Sequence, residues 1–266
     1  MKMSIMLTNI LQQAADLLYA IWPQPIPGKD RLAQCKIISH RGEYDNQTIY
    51  ENTLPAFDKV MDHGVWGVEL DVRWTKDLHP VVFHDRTTQR VFHGNFCICD
   101  FPLAQLKEKY PSIPSLKEVI TRYGKTLHLM VEIKEETYPN PEVQKCVLQD
   151  LFSSLQPRIN YHFLSLYPSM FHLTDFVSPQ SFLPIAELNV RELSDIAIEK
   201  QYGGITGHFL LLNNDYLKKH RLNNQLVGTG FVRSKNCLYR ELNRNIEWIF
   251  TNHAVKLQTI VNEALK

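Results

Sequence analysis

Nine short β-rich runs alternate with helical stretches along most of this chain, and that alternation restricts the fold more than any other feature. The runs lie at 36–39, 67–72, 81–84, 127–133, 162–166, 183–188, 204–208, 225–229 and 248–251. Helical patterns fall at 53–63, 115–123, 141–155, 168–174, 190–200, 214–220 and 236–243. Parallel strands need a crossover of a dozen or more residues, usually a helix, so the order predicts an α/β architecture built on a parallel sheet. Neither a G-x-G-x-x-G after a strand nor a G-x-x-x-x-G-K-[ST] occurs, which argues against an open nucleotide-binding sheet.

A (β/α)8 barrel typically takes about 250 residues, and this chain has 266. Eight strands close such a barrel, one fewer than the runs counted here. Between 67–72 and 81–84 lies only the stretch 73–80, too short for a crossover. The run at 81–84 is therefore expected to return as a hairpin arm over the barrel mouth, leaving eight strands in the wall. Residues 86–110 fit no strand-helix unit and read as an insertion or lid near the mouth. The expected organisation is an N-terminal helix and Pro-rich lead-in over 1–30, then one barrel domain over 31–266.

Residues 1–22 carry Ile10, Leu11, Ala14, Leu17, Leu18 and Ile21 at helical spacing, and Pro23, Pro25 and Pro27 follow. Asn9, Gln12, Gln13 and Asp16 interrupt any apolar run, so the segment reads as an amphipathic helix and not as a signal peptide or membrane span. Its expected role is packing on the domain. Contact with a membrane surface is the lesser alternative, because few Lys or Arg line its polar face. Five scattered cysteines form no disulfide framework, and Cys97-Ile98-Cys99 is a lone C-x-C. These features predict a reduced, cytoplasmic protein. A net charge of +1 gives no general signal for nucleic acid, so anion recognition must be local.

The chemistry sits at strand ends. In the run Gly67-Val-Glu-Leu-Asp-Val72, alternation turns Glu69 and Asp71 to one face and Val68, Leu70 and Val72 to the other. Two carboxylates so placed repel unless a proton or cation neutralises them, and Mg²⁺ or Ca²⁺ takes oxygen ligands of this kind. A surface strand with two solvated acids is the plain alternative. The apolar strand 127–133 ends in Glu132, with Lys134 beyond it on the same face. Glu132 is a candidate third carboxylate for the cation and Lys134 a candidate contact for a phosphate oxygen; a simple ion pair between the two is the plain alternative. His40-Arg41-Gly42 and His84-Asp85 each follow an apolar run. A single strand-end histidine is more often structural. Two beside an acid cluster and an arginine suit general acid-base work on a phosphate that Arg41 can grip bidentately. Gly42 allows backbone geometry that a β-carbon would hinder. His63-Gly64 reads as a helix C-terminus with its cap, and His128 as a packed residue deep in its strand. Ser39, Ser165 and Ser169 lack a G-x-S-x-G elbow.

Taken together, the ordered series resembles the glycerophosphodiester phosphodiesterase family. It runs through His40-Arg41-Gly42, Glu51-Asn52-Thr53, Ala56-Phe57, Gly67-Val-Glu69-Leu-Asp71-Val72, Thr75-Lys-Asp77, Pro80-Val-Val-Phe-His84-Asp85, Ile113-Pro-Ser-Leu116 and Val131-Glu132-Ile-Lys134. The resemblance implies a TIM-type barrel with His40 and His84 as acid and base. It also implies one divalent cation, Ca²⁺ or Mg²⁺, on Glu69, Asp71 and Glu132, with Arg41 and Lys134 on the phosphate. Glu51 and Asn52 border the site in the family, although Asn52 or Thr53 also suits the N-cap of the next helix. The implied reaction hydrolyses a small glycerophosphodiester to glycerol 3-phosphate and an alcohol. The alternatives are lysophospholipase D-like action on lysophospholipids, and a barrel that binds phosphodiesters without turnover. The later motifs depart from the family. An aromatic-Thr-Val-Asn run and a Thr-Asp pair are replaced by Val227-Gly-Thr-Gly-Phe231 and Phe250-Thr251-Asn252-His253, which touches head-group selection and not the phosphodiester chemistry.

Overall fold

The computed structural model describes residues 18–266. Nine strands are present among them: β1 (Lys36–His40), β2 (Gly67–Trp74), β3 (Pro80–Val82), β4 (His128–Ile133), β5 (Tyr161–Ser165), β6 (Phe182–Ala186), β7 (Gly204–His208), β8 (Leu226–Gly230) and β9 (Trp248–Thr251). Eight pair in parallel in the order β1-β2-β4-β5-β6-β7-β8-β9, and β9 pairs back with β1 to close a TIM barrel. The ninth, β3, pairs antiparallel with β2 through Val72–Val82, Arg73–Val81 and Trp74–Pro80. The hairpin expected from the short 73–80 connection is thus formed.

The helices are α1 (Lys29–Ala33), α2 (Leu54–Asp62), α3 (Gln89–Phe92), α4 (Leu103–Lys109), α5 (Leu116–Tyr123), α6 (Pro141–Phe152), α7 (Val190–Glu199), α8 (Asn214–Leu222), α9 (Lys235–Asn243) and α10 (Ala254–Leu265). Starts carry their local signals. Ser115 forms a capping box with Glu118 at α5, while Asn213 and Ser234 cap α8 and α9. At the end of α2, Gly64 has φ +67°, as the His63-Gly64 pair suggested. The helix expected at 168–174 is a 3-10 segment, Pro168–Leu173. At six residues it makes a tight connection between β5 and β6 where an α-helix would need more chain. Of the expected N-terminal amphipathic helix, only residues 18–21 are described, and they are helical; the rest lies outside the described residues.

Packing follows the strand alternation. Val68, Leu70 and Val72 of β2, with Leu129, Val131 and Ile133 of β4, face outward into the buried layer between barrel and helices. Inside the barrel, Ile38, Met130, Leu164, Leu183, Trp248 and Phe250 form a separate apolar plug. Residues 86–110 hold α3 and α4. Val91, Ile98 and Leu106 from this segment pack with Val81, Phe83 and Ile113 in a third cluster. The insertion is therefore fastened to the β2–β3 hairpin by its own small core. No helix of the described residues is long and apolar enough to cross a membrane.

Candidate active site

On three strands the inward face changes from apolar to polar in one step of the pleat. Ile38 of the plug is followed two residues later by His40, Met130 by Glu132 and then Lys134, and Phe250 by Asn252. Register then sets the neighbours: His40 lies opposite Glu69, and Asp71 opposite Glu132. All of this occurs at the C-terminal end of the barrel, where the βα loops gather.

Glu69, Asp71 and Glu132 are buried, and each brings a carboxylate oxygen within 4.8 Å of the others. Lys134 Nζ lies 2.6 Å from Asp71 Oδ1 and 2.7 Å from Glu132 Oε1, and Arg41 Nε is 3.2 Å from Asp71 Oδ2. Asn52 Nδ2 donates to the same Asp71 Oδ2 at 2.7 Å. Burial would raise Asp71, but Lys134 and Arg41 hold it low. Glu69 is different. Neither of its oxygens has a hydrogen-bond donor among the described residues, and the His40 imidazole Nε2 lies 3.8 Å from Oε2. Burial and repulsion from Asp71 and Glu132 push Glu69 well above the usual carboxylate range. Burial, with Asp71 adding to it, lifts Glu132 to about 7 despite Lys134. A buried carboxylate with two orphaned oxygens, facing two more carboxylates, is a donor set that suits a hard divalent cation.

The histidines are oriented by different partners. His40 Nδ1 is 2.6 Å from Asn252 Oδ1; since an amide oxygen only accepts, Nδ1 carries the proton and Nε2 presents its lone pair. Burial and the charge of Arg41 lower His40 to about 4. His84 Nδ1 is 2.6 Å from the Asp85 carboxylate, and burial also lowers His84. Arg73 donates from Nε and Nη2 to the His84 carbonyl at 3.0 and 2.9 Å, and from Nη1 to Glu136 at 2.7 Å. The hairpin end that carries His84 is thus pinned to β2.

Glu51 links the two histidine loops. It accepts from Arg41 at 3.0 Å, from Asn46 at 2.8 Å, and from both terminal nitrogens of Arg90 at 2.6 and 2.8 Å. Arg90 Nε donates to Asp85 at 2.6 Å. Burial works to raise Glu51, yet Arg90, Arg41 and Asn46 bring it down to about 2. Arg41 and Asn52 both have left-handed backbone, φ +63° and +58°, and the Asn52 amide donates to the Arg41 carbonyl at 2.9 Å. Asn52 thus serves Asp71, while Thr53 takes the N-cap position of α2 without a side-chain cap bond.

Every residue expected at the site comes together: His40, Arg41, Glu51, Asn52, Glu69, Asp71, His84, Glu132 and Lys134. Four partners went unassigned from sequence. Asp85 had a signal, being adjacent to His84. Asn46, five residues from Glu51, and Arg90, 39 residues from it, carried no pattern that marked them; Asn252 stood out only as a departure from the family's Thr-Asp pair, its partner lying across the barrel seam. His128, expected to be packed, stacks on Trp66 at 4.3 Å, far from this cluster.

The glycerophosphoryl diester phosphodiesterase family matches residues 40–256, most of the chain. The chain belongs to that family. A glycerophosphodiester phosphodiesterase from Caldanaerobacter subterraneus subsp. tengcongensis is 36% identical over 125 residues, covering 42% of this chain and 51% of that protein. One from Bacillus subtilis (strain 168) is 24% identical over 254 residues, covering 81% and 83%. In the first of these, the match spans only about half of the relative's length. Among solved structures, a glycerophosphodiester phosphodiesterase from Parabacteroides distasonis has a TM-score of 0.71 at 19% identity, covering 88% of this chain and 99% of its own. An Oleispira antarctica phosphodiesterase in complex with the product sn-glycerol-3-phosphate has a TM-score of 0.71 at 20% identity, covering 85% and 96%. At these identities the structures establish the shared barrel.

Proposed function

We propose that this member of the family hydrolyses glycerophosphodiesters to glycerol 3-phosphate and an alcohol. One observation carries the reading: two differently partnered histidines flank a buried three-carboxylate cluster that also holds Arg41 and Lys134. The product complex of the Oleispira antarctica phosphodiesterase supports the same substrate class.

Glu69, Asp71 and Glu132 would hold one divalent cation, Ca²⁺ or Mg²⁺. When bound, it supplies positive charge against the phosphate and against the charge growing on it in the transition state. Arg41, preset by Glu51 and Asp71, adds a planar fork of donors to the phosphate oxygens. Lys134 bridges the Asp71 and Glu132 carboxylates and would offer its remaining donors to the phosphate. His40 is assigned as base. Its Nε2 is unprotonated, and its partner Asn252 is neutral and so offers the imidazolium no carboxylate. It takes the proton from water or from the substrate's own 2-hydroxyl. His84 is assigned as acid, since Asp85 supports its protonated ring and lets it deliver a proton to the leaving alcohol.

The test is glycerol 3-phosphate release from a panel of glycerophosphodiesters, with added Mg²⁺ or Ca²⁺ and with chelator. Release that the chelator abolishes is expected. No release from any substrate with either metal supplied sinks the reading.

A further inference from the structure

The proposed chemistry leaves one reactive pair unused. Cys97 and Cys99 sit in the insertion at 86–110 with their sulfurs 2.9 Å apart. Cys99 is exposed, Cys97 partly so, and both are free thiols. Ile98 between them is buried in the small core that fastens the insertion, which leaves the two thiols on the outer side. Asp100 completes a cluster of possible metal ligands, but the spacing of the sulfurs decides against a shared ion. Two thiolates on one tetrahedral Zn²⁺ stand roughly 3.8 Å apart. These sulfurs are already closer than that, and the bond that brings two sulfurs nearer still is a disulfide, at about 2.05 Å.

The pair is joined to the site through the backbone. Cys97 forms an antiparallel bridge with Thr87. The Thr88 amide donates to the Phe96 carbonyl at 2.9 Å, and the Ile98 amide to the Arg86 carbonyl at 3.0 Å. One end of this short ladder follows directly on Asp85, the partner of His84. At the other end Thr88 takes the N-cap position of α3, which carries Arg90. With the cysteines as thiols, Arg90 holds Asp85 at 2.6 Å and Glu51 at 2.6 and 2.8 Å. Those bonds are already short, so a shift of the 96–98 backbone can only loosen them. Closing a small ring across Ile98 demands such a shift. Ile98 is held in its core, and Cys97, the residue on the ladder, is the one left to move.

We propose that Cys97 and Cys99 are a reversible dithiol–disulfide pair, and that forming the disulfide lowers turnover by moving Arg90 off Glu51 and Asp85. The effect on turnover rests on the phosphodiesterase reading above; the disulfide itself does not. The oxidant is a low-molecular-weight disulfide. The Cys97 thiolate attacks one of its sulfurs, the external S–S bond breaks, and one small thiol leaves. Cys99 then gives up its proton and attacks the Cys97 sulfur of the mixed disulfide, releasing the second small thiol. Two cysteine thiols are oxidised to one disulfide while the external disulfide is reduced to two thiols. The order of attack follows from the partners. The hydrogen bond to Cys97, with burial and the charge of Asp100 added to it, holds the Cys99 thiol up at about 12. Cys99 therefore keeps its proton and resolves, and Cys97 attacks first.

The experiment equilibrates the full chain in glutathione buffers from fully reduced to fully oxidised, then splits each sample. One half is alkylated for intact mass and peptide mapping; the other is assayed for glycerol 3-phosphate release from glycerophosphocholine with Mg²⁺ or Ca²⁺ present. A Cys97–Cys99 disulfide is expected, with kcat/KM falling roughly tenfold, the loss that removing Arg90 would bring, and recovering in dithiothreitol. Cys97→Ser should keep the activity of the reduced protein and lose both the disulfide and the response. Cys99→Ser should trap glutathione on Cys97. The absence of an internal disulfide in the most oxidising buffer overturns the proposal, as does a disulfide that leaves kcat/KM unchanged. A response that survives in Cys97→Ser also overturns it and assigns the effect to another thiol, such as exposed Cys146. Stoichiometric Zn²⁺ on the reduced protein, lost in Cys97→Ser, makes the pair a metal site instead. No turnover by the fully reduced protein removes the phosphodiesterase reading and the effect on activity, and the mass alone then decides the disulfide.

Discussion

Replacing Glu132 by Gln should make the metal-free protein more stable and the metal-loaded protein less so. Glu132 is buried, and its carboxyl is lifted from an ordinary 4.5 to about 7 by burial and by Asp71, against the pull of Lys134 and Arg41. A raised carboxyl binds its proton more tightly in the folded state. Its contribution is therefore most favourable below 4.5 and is lost as pH climbs through 7. The loss amounts to about 3 kcal/mol at pH 8 and only about 1 kcal/mol at pH 5. Gln keeps the shape and can still accept from Lys134, but it carries no charge to desolvate. In chelator at pH 8, Glu132→Gln should melt roughly 6–12 °C above the parent, with most of the difference gone at pH 5. Saturating Mg²⁺ or Ca²⁺ should raise the parent and leave the variant almost unmoved, because one of three ligands is missing. Differential scanning fluorimetry from pH 5 to 8, with and without cation, reads all of this. Equal protection of parent and variant by the cation, or no gain in chelator at pH 8, would refute the three-carboxylate site.

The remaining predictions concern the histidines and their supports. His40→Ala and His84→Ala should each lower kcat about 10²- to 10⁴-fold with little change in melting temperature, and near-normal turnover in steady-state assays contradicts their roles. Asp85→Asn should fall between parent and His84→Ala, because the ring keeps a hydrogen-bond partner but loses the charge. Arg90→Ala should lower kcat/KM roughly tenfold; Arg90→Lys should not rescue it, since an ammonium cannot span Glu51 and Asp85 as the guanidinium does. Gly42→Ala should cost about 2–4 kcal/mol and about 5–15 °C in melting temperature. Its β-carbon would lie 2.7 Å from the Ala56 Cβ and 3.0 Å from the Ala56 backbone carbon, at φ +85°.

Which parts of this site were legible in the sequence depends on the range of the interaction that fixes them. Glu69 and Asp71 were assigned to one face, and Glu132 and Lys134 to another, because a strand's pleat has a period of two and needs no partner to define it. The same rule put Val68, Leu70 and Val72 into the outer layer, where they are buried. The hairpin at β3 was legible from chain length alone. Lys134 was only half legible. Its face was right and its ion pair with Glu132 was one of the two readings offered, but the second carboxylate, Asp71 on the neighbouring strand, was not foreseen. Arg90 was illegible because its two carboxylates are set by the fold of the insertion, 39 residues from Glu51. The short 3-10 segment after β5 was read as an α-helix because six residues carry too little periodicity to separate the two.

Asn252 shows how a departure from a family pattern becomes a physical statement once its partner is known. In the sequence it was only a missing Asp at the end of the last strand. In the structure it meets His40 across the seam that closes the barrel, 212 residues away. A carboxylate there would hold His40 protonated more easily and make it a competitor to His84 for the acid role. A neutral amide fixes the same tautomer without that charge, while His84 keeps Asp85. The two histidines thus have unlike partners, one amide and one carboxylate, and under the acid-base assignment proposed above the substitution that looked like erosion of the family motif would separate base from acid.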